Sequence, residues 1–592
     1  MTAVLVSVGL PFSVSAAEAI TADYIEDEIV FEYTPPSSSS GIRRAVSSFR
    51  SQLTALGVTE LTELESYEDT LSTLSASSEP TTYVAKISGD VIKTCREIKK
   101  LSGVSYAEPN YILETCGYST PLEIKNNTKN YVNYEKWYLD TVMNVPAAWE
   151  KHQTSGEGVT IAVIDNGFNL SATDFPVNLW DDGNGNHGWN TASNSSDISP
   201  SLHTDGTELT DSVHGTNVAG IIGMASNGSN FLGAAFGAEL MLIKVAESQY
   251  LSTDTKTKIS SAAVASAVDY ARVNHADVIS MSLGVNNVYP MVIRTAVDKA
   301  FAKNICIFAA AGNNGLGTNT LLAYPAAASN VIGVMASSKT DHGILTDFSN
   351  FDEHNGQYYD IVAPGNEIVG CGLGTGKFSV MNGTSQATPL VAACAALYIS
   401  VHKDETVDEI YNAIRHSSTK TATSNSDTSP SENYSYSMLD AVELLDFESI
   451  KPNIEYNLLT TVIHDPGTDF LYGLEEGYLD IANYVTVEEG TGTSEFIPTA
   501  NGNGTDSVLK VYTPKGEYFK TITVTIFGDV NGDSIADGMD AVIMNCMKAG
   551  MLDTSYCVEY AADVNFDGQL SNDDIETVIN KAIGLDFISQ IR

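Results

Sequence analysis

The chain has 592 residues, 43% hydrophobic and 18% charged, with 74 acidic against 31 basic side chains and a formal net charge of −43. That length exceeds what one hydrophobic core sustains and points to three or four domains. So large an acidic excess argues against a nucleic-acid partner, which needs clustered basic surface, and leaves many carboxylates free for divalent cations.

The first stretch, MTAVLVSVGLPFSVSAAEA, is an apolar run closing on small residues. That is the pattern of a secretory signal over 1–20, cut around Ala16 to Ala19, although the usual basic start is missing. No other segment reaches the ~18 consecutive apolar residues that cross a bilayer, so a secreted, non-transmembrane product is expected. The seven cysteines are scattered without a C-x-x-C pair, which fits neither a disulfide framework nor a zinc site.

Residues 21–115 mix alternating strands (EIVFEY, TTYVAKIS) with amphipathic helical stretches such as AVSSFRSQLTALG, an α+β pattern. From 116 to 448 apolar strand runs (VTIAVID, AELMLIKV, ADVISMSLG, ICIFAAAG, NVIGVMA) alternate with helices. This predicts an α/β domain with a mostly parallel sheet and helices on both faces. Within it the Ser/Thr-rich stretch 417–433 reads as a surface loop, and YSYSMLDAVELL after it as a helix. Residues 449–526 carry short strands between Gly, Pro and Asn turns, a small β module. The remainder, 527–592, contains an internal repeat, DVNGDSIADGMDAVIMN and DVNFDGQLSNDDIETVIN.

The α/β domain holds the chemistry. Ser385, in NGTSQATPLVAAC, sits at the predicted start of a helix, where a hydroxyl either caps the helix or acts as a nucleophile. A serine nucleophile needs an imidazole to take its proton and a carboxylate to orient that imidazole. Of ten histidines, His214 opens a helix in DSVHGTNVAGIIGMA, where Gly215, Ala219, Gly220 and Gly223 admit close packing. Asp165 ends the buried strand run VTIAVID, the sheet end where catalytic groups gather in open α/β folds. Asn313 in AAAGNNG offers an amide donor for a developing oxyanion, and the Ser385 backbone N–H offers a second.

VIDNG, HGTNVAG, SMSLG, AAAGNNG and NGTSQATPLVAA stand in the order and at about the spacing of the subtilisin-like serine proteases, which the chain resembles over about 320 residues. The order Asp, His, Ser belongs to that family. The resemblance implies a serine endopeptidase with Asp165 as orienting acid, His214 as general base, Ser385 as nucleophile and Asn313 as oxyanion donor. It also implies that Ser282, Leu283 and Gly284, with part of 309–312 including Ala310 and Gly312, pair with the substrate backbone as an added strand. Two positions depart from the family: Asn166 replaces Ser or Thr after the aspartate, and Gln386 replaces Met after the nucleophile. The end of the first domain, SYAEPNYI, is similar to the close of the family's inhibitory propeptide, to be cut between about 113 and 135. A protease fold kept only as a binding or structural subunit is the alternative, and such proteins usually lose a triad residue.

In the repeat, oxygen-bearing residues fall at loop positions 1, 3, 5, 9 and 12: Asp529, Asn531, Asp533, Asp537 and Asp540, then Asp563, Asn565, Asp567, Ser571 and Asp574. With the carbonyls of Ile535 and Gln569 at position 7, this is EF-hand-like spacing and predicts two calcium sites. The first loop has Ser534 where the second has Gly568, a left-handed position that costs a non-glycine residue ~1–2 kcal/mol. The 34-residue duplication resembles the all-α, EF-hand-like dockerin module. That resemblance implies docking to a cohesin module on an extracellular scaffold such as a cellulosome. The partner-selecting positions 10 and 11 would be Gly538-Met539 and Asn572-Asp573, which are unlike each other.

Overall fold

The computed structural model describes residues 22–590 apart from 35–41, 65–79, 120–135, 205–208, 210, 226–230, 248, 251–255, 355, 374–377, 425–433, 449–451, 457–461, 466–468, 475–480, 482–483, 515, 517, 549–554, 567–569, 584 and 586. The signal-like segment 1–20, Asp567, Gln569, and parts of the predicted cleavage window and of the 417–433 loop lie outside the described residues.

The N-terminal domain is an antiparallel sheet in the order Val104–Thr115, Tyr24–Tyr33, Thr81–Ile87, Val58–Glu63, with helices Ile42–Ala55 and Val91–Ile98. Period-two burial of alternating residues builds its own core around Phe31, Phe49, Ala85, Ile98 and Val104. Asp90 caps the second helix, its side chain accepting from Lys93 N at 2.7 Å.

The sheet of the α/β domain has seven strands in the order Ile361–Pro364, Ile332–Ser337, Cys306–Ala310, Val278–Met281, Thr160–Asp165, Glu239–Lys244, Gly188–Asn190, and every neighbouring pair is parallel. The central strands are buried along their length, which is why they read as continuous apolar runs. The helix Thr384–Val401 lies across several of these strands, while Ser261–Val273 and Met291–Phe301 pack on one another and on the sheet. Thr384–Val401 is long and apolar enough to cross a membrane, but it is a buried core helix here. The stretch YSYSMLDAVELL splits: Ser435–Ser437 is a strand paired with Thr421–Thr423, and only Ala441–Leu445 is helical, capped by Asp440. The alternation of Tyr434 and Tyr436 with serine is a strand period that the neighbouring helix pattern hides.

The β module forms a five-stranded sheet from Ile463–Asp465, Phe470–Tyr472, Tyr518–Val524, Val508–Tyr512 and Thr493–Ile497, plus the pair Ile454–Tyr456 and Val485–Val487. Lys520 ties it to the α/β domain through Asp408 at 2.8 Å, and also pairs with Asp469 of its own module at 2.8 Å. The C-terminal unit has helices Gly538–Lys548, Tyr556–Ala562 and Asn572–Ala582 around Phe527, Met544, Ile575 and Val578. Among the described residues all seven cysteines are free thiols.

Candidate active site

Asp165 is the last residue of a central strand whose neighbours are Val278–Met281 and Glu239–Lys244. His214 is the first residue of the helix His214–Gly223. That helix sits close because Gly215 and Gly220 have no side chain: a Cβ would lie 2.5 Å from Gly167 O and 2.5 Å from Cys371 N. The imidazole Nδ1 donates to Asp165 Oδ1 at 2.8 Å, with both side chains fully buried. An ionised carboxylate only accepts, so the neutral imidazole carries its proton on Nδ1 and leaves Nε2 free as a base. Asn166, the family departure, holds this corner together. Its Nδ2 donates to Asp211 O at 2.8 Å and its Oδ1 accepts from Gly215 N at 3.1 Å, the amide just after His214.

Ser385 stands at the second position of its helix, after Gly383 and Thr384. Its hydroxyl donates to Ser282 O at 2.9 Å, and Ser282 Oγ donates back to Ser385 O at 2.8 Å. Asn313 is oriented by Thr384, whose N and Oγ1 donate to Asn313 Oδ1 at 2.9 and 3.0 Å. Thr384 Oγ1 in turn accepts from Gly312 N at 3.1 Å. The Asn313 amide nitrogen is thereby turned outward into the site.

A segment of the chain itself occupies that site. The strand Val104–Thr115 leaves the N-terminal domain and pairs antiparallel with the catalytic domain, Thr115 opposite Leu283 and Glu114 opposite Gly284. Cys116 N donates to Ser282 O at 3.0 Å. Cys116 O accepts from Ser385 N at 3.2 Å and also from Asn313 Nδ2. Both oxyanion donors therefore converge on one carbonyl. Gly117 follows against the imidazole, and Tyr118 and Ser119 pair with Asn382 and Met381.

Ser282, Leu283 and Gly284 form the expected edge. The second edge is Ile259–Ser260, which pairs with Leu113 and Ile112. Ala310 and Gly312 do not share that role. Ala310 pairs with Val334 inside the sheet, and the Gly312 carbonyl accepts from Asn350 N at 3.0 Å. The 309–312 backbone is used up by its own domain, and its contribution to the site is indirect, through Thr384. Ile259 and Ser260 carried no sequence signal beyond a generic helix start.

Two further contacts clamp the N-terminal domain. Glu108 accepts from Met291 N and Val292 N at 2.9 Å each, at the start of Met291–Phe301. Asn110 Oδ1 accepts from Ser261 Oγ and Ala262 N at 3.1 and 3.2 Å, at the start of Ser261–Val273. Both satisfy donors that a helix start leaves unpaired. Burial pushes the Glu108 carboxyl up to about 7, against the pull of those two backbone donors.

This arrangement suits acyl transfer. A peptide carbonyl seated where Cys116 O lies would be attacked by Ser385 Oγ, once rotated from Ser282 O toward His214, while its proton passes to Nε2. The carbonyl oxygen would take the negative charge between Asn313 Nδ2 and Ser385 N. Collapse would break the C–N bond, with Nε2–H giving its proton to the leaving nitrogen. Water, activated by the same imidazole, would then hydrolyse the acyl ester.

In the C-terminal unit, Asp529, Asn531, Asp533, Asp537 and Asp540 line one loop. Asp529 Oδ1 accepts from Gly532 N at 2.8 Å, and Asp540 Oδ1 accepts from Val530 N and Asn531 N at 2.9 and 3.0 Å. Ser534 has φ +76°, the left-handed geometry expected at that turn. In the second loop Asp574 accepts from Val564 N, Asn565 N and Ser571 N at 2.8–3.2 Å, the equivalent set of bonds. Among the described residues no three Asp, Glu, His or Cys side chains converge closely enough to form a ready metal cluster. Burial without a counter-charge raises Asp540 to about 7 and raises Asp529 and Asp574 as well, so the donor chemistry suits a hard cation.

The chain is similar to known proteins over its first two domains. The model of the subtilase family matches residues 156–437, and that of the fervidolysin N-terminal prodomain matches 12–110. The chain is 30% identical to subtilisin NAT of Bacillus subtilis subsp. natto over 332 residues, covering 55% of this chain and 73% of that one. It is 31% identical to the minor extracellular protease Epr of Bacillus subtilis over 306 residues, 52% of this chain and 41% of Epr. The crystal structure of fervidolysin from Fervidobacterium pennivorans, a keratinolytic enzyme related to subtilisin, superposes with TM-score 0.54 at 19% identity over 76% of this chain and 64% of that one. On these matches the chain belongs to the subtilase family of serine endopeptidases.

Proposed function

We propose that this chain is a secreted zymogen that cleaves itself between Cys116 and Gly117 and then hydrolyses other polypeptides, held by its C-terminal module on a cohesin-bearing scaffold outside the cell. The observation that carries the first half is the Cys116 carbonyl, which receives both oxyanion donors while Gly117 lies against His214. The prodomain presents its own C-terminal strand as the first substrate and, once cut, remains as a product inhibitor. The test is expression of the full chain beside Ser385→Ala. The wild type yields a fragment beginning at Gly117 that a fluorophosphonate probe labels, and the variant stays intact and unlabelled. Processing of the variant at the same bond would refute the assignment.

Docking rests on the loop spacing and on where apolar side chains are exposed. Among the described residues seven of the twelve large exposed apolar side chains, Ile535, Met539, Val542, Ile579, Ile583, Leu585 and Phe587, belong to the last 60 residues. Such a concentration supports a protein-binding role for this unit. Calcium would be held in the first loop by Asp529, Asn531, Asp533, Asp537, Asp540 and the Ile535 carbonyl. In the second it would be held by Asp563, Asn565, Asp567, Ser571, Asp574 and the Gln569 carbonyl, and the bound cation would neutralise these acids. Cohesin pull-down with and without chelator tests this half, and binding indifferent to chelation would sink it.

A further inference from the structure

The bound segment is clamped on both sides of the scissile bond. Before it, Cys116 is held through its nitrogen by Ser282 and through its oxygen by Ser385 and Asn313. After it, Tyr118 and Ser119 are paired as a strand with Asn382 and Met381. Gly117 lies between these clamps, so its Cα has little room to shift.

A Cβ on Gly117 would come within 2.8 Å of His214 Nε2, 2.9 Å of His214 Cδ2 and 3.2 Å of Gln386 Oε1. The imidazole cannot yield without leaving Asp165, which holds its other nitrogen in a fully buried pair. Gln386 is also fully buried. Its Nε2 donates to Asn217 Oδ1 at 3.3 Å, and Asn217 Nδ2 donates to Ser379 O at 3.0 Å, so the amide is tethered. Its Oε1 has no hydrogen-bond partner and points at the scissile bond's leaving side. The floor is closed as well: a Cβ on Gly383 would meet Gln386 Oε1 and Gly117 Cα at 2.9 Å each. With Gly117 in place Gln386 Oε1 is already sealed from solvent, so the subsite has no spare room for a side chain.

We infer that His214 and Gln386 form a leaving-side subsite that accepts glycine, so that the enzyme cuts peptide bonds preceding glycine both in itself and in other polypeptides. Gln386, where the family usually has Met, is the wall of this subsite that can be changed without touching His214. The inference rests on the proposed self-cleavage at Cys116–Gly117.

The test uses the self-processed enzyme and paired fluorogenic peptides built on LETC-G-YS and LETC-A-YS, together with a cleavage-site profile of a mixed peptide pool. The wild type should prefer the glycine peptide by about tenfold or more in kcat/KM, because a methyl group meets groups that cannot relax. Gln386→Ala should shrink that ratio toward the part due to His214 alone, chiefly by raising turnover of the alanine peptide. A flat leaving-side profile in the wild type, or an unchanged ratio in Gln386→Ala, overturns the inference while self-cleavage at Gly117 still stands. A processed N-terminus other than Gly117 overturns both.

Discussion

Replacing Asn166 by alanine separates the corner that holds His214 from the chemistry that His214 performs. Asn166 is fully buried, and its amide bridges the Asp211 carbonyl and the Gly215 N–H at 2.8 and 3.1 Å. The Asp211 carbonyl keeps a second donor, His214 N at 2.9 Å, so Asn166→Ala leaves one buried backbone donor, Gly215 N–H, unpaired. At about 1–3 kcal/mol for an orphaned group, the loss should be about 1–3 kcal/mol. Scanning calorimetry in a Ser385→Ala background avoids self-digestion, and the catalytic-domain transition should fall by about 2 °C or more. Asn166→Ser, which restores the residue type usual in the family, keeps a hydroxyl able to accept from Gly215 N and should land between. In active enzyme the freed helix start lets the imidazole wander, so kcat should fall more than KM rises. A Tm for Asn166→Ala within ~1 °C of its parent would refute the claim that this amide holds the helix.

Asn313→Ala removes one of the two donors to the Cys116 carbonyl and should slow appearance of the Gly117 N-terminus by about 10²–10³, the range known for such a donor in subtilisin. The prodomain's hold should depend on pH through Glu108, whose carboxyl is pushed up to about 7 by burial in the contact. A carboxyl raised on docking favours the protonated form. Its contribution is therefore fully present below its ordinary value near 4.5 and lost as pH rises through 7, so inhibition by the cleaved prodomain should weaken toward alkaline pH and Glu108→Gln should flatten the profile. Chelator should lower the melting of residues 527–592 selectively, and Asp540→Asn should reproduce the loss in the first loop alone; calorimetry resolving that transition reads both.

The triad was legible in the sequence because each member sits at an element end with a local signature. An aspartate closes a buried strand, a histidine opens a glycine-studded helix, and a serine starts an apolar one. The edge Ser282–Gly284 was legible for the same reason. What stayed hidden depends on long-range pairing. Nothing local distinguishes Ile259–Ser260 as the second edge, since its partner lies almost 150 residues earlier at Ile112–Leu113. The resemblance made Gly312 a substrate contact, yet its amide is committed to Thr384, so it orients the oxyanion donor from behind. Asn166 and Gln386 could be seen to depart from relatives, but their use emerged only once Gly215, Asn217 and Gly117 were brought against them.

One strand, Val104–Thr115, belongs to two structures at once. In the N-terminal domain its first half pairs with Tyr24–Tyr33 and buries Val104 and Tyr106, and in the catalytic domain its last residues are substrate. Cutting after Cys116 breaks one covalent bond but none of the pairing at Leu283–Gly284 or Ile259–Ser260, and none of the helix-start contacts of Glu108 and Asn110. The cleaved strand keeps everything that placed it except the continuity with Gly117. Self-cleavage and release must therefore be separate steps: the first depends on Ser385, Asn313 and the leaving-side subsite, the second on undoing a strand whose other half is anchored in a folded domain. Catalytic variants should change the first rate alone, and Glu108 variants the second.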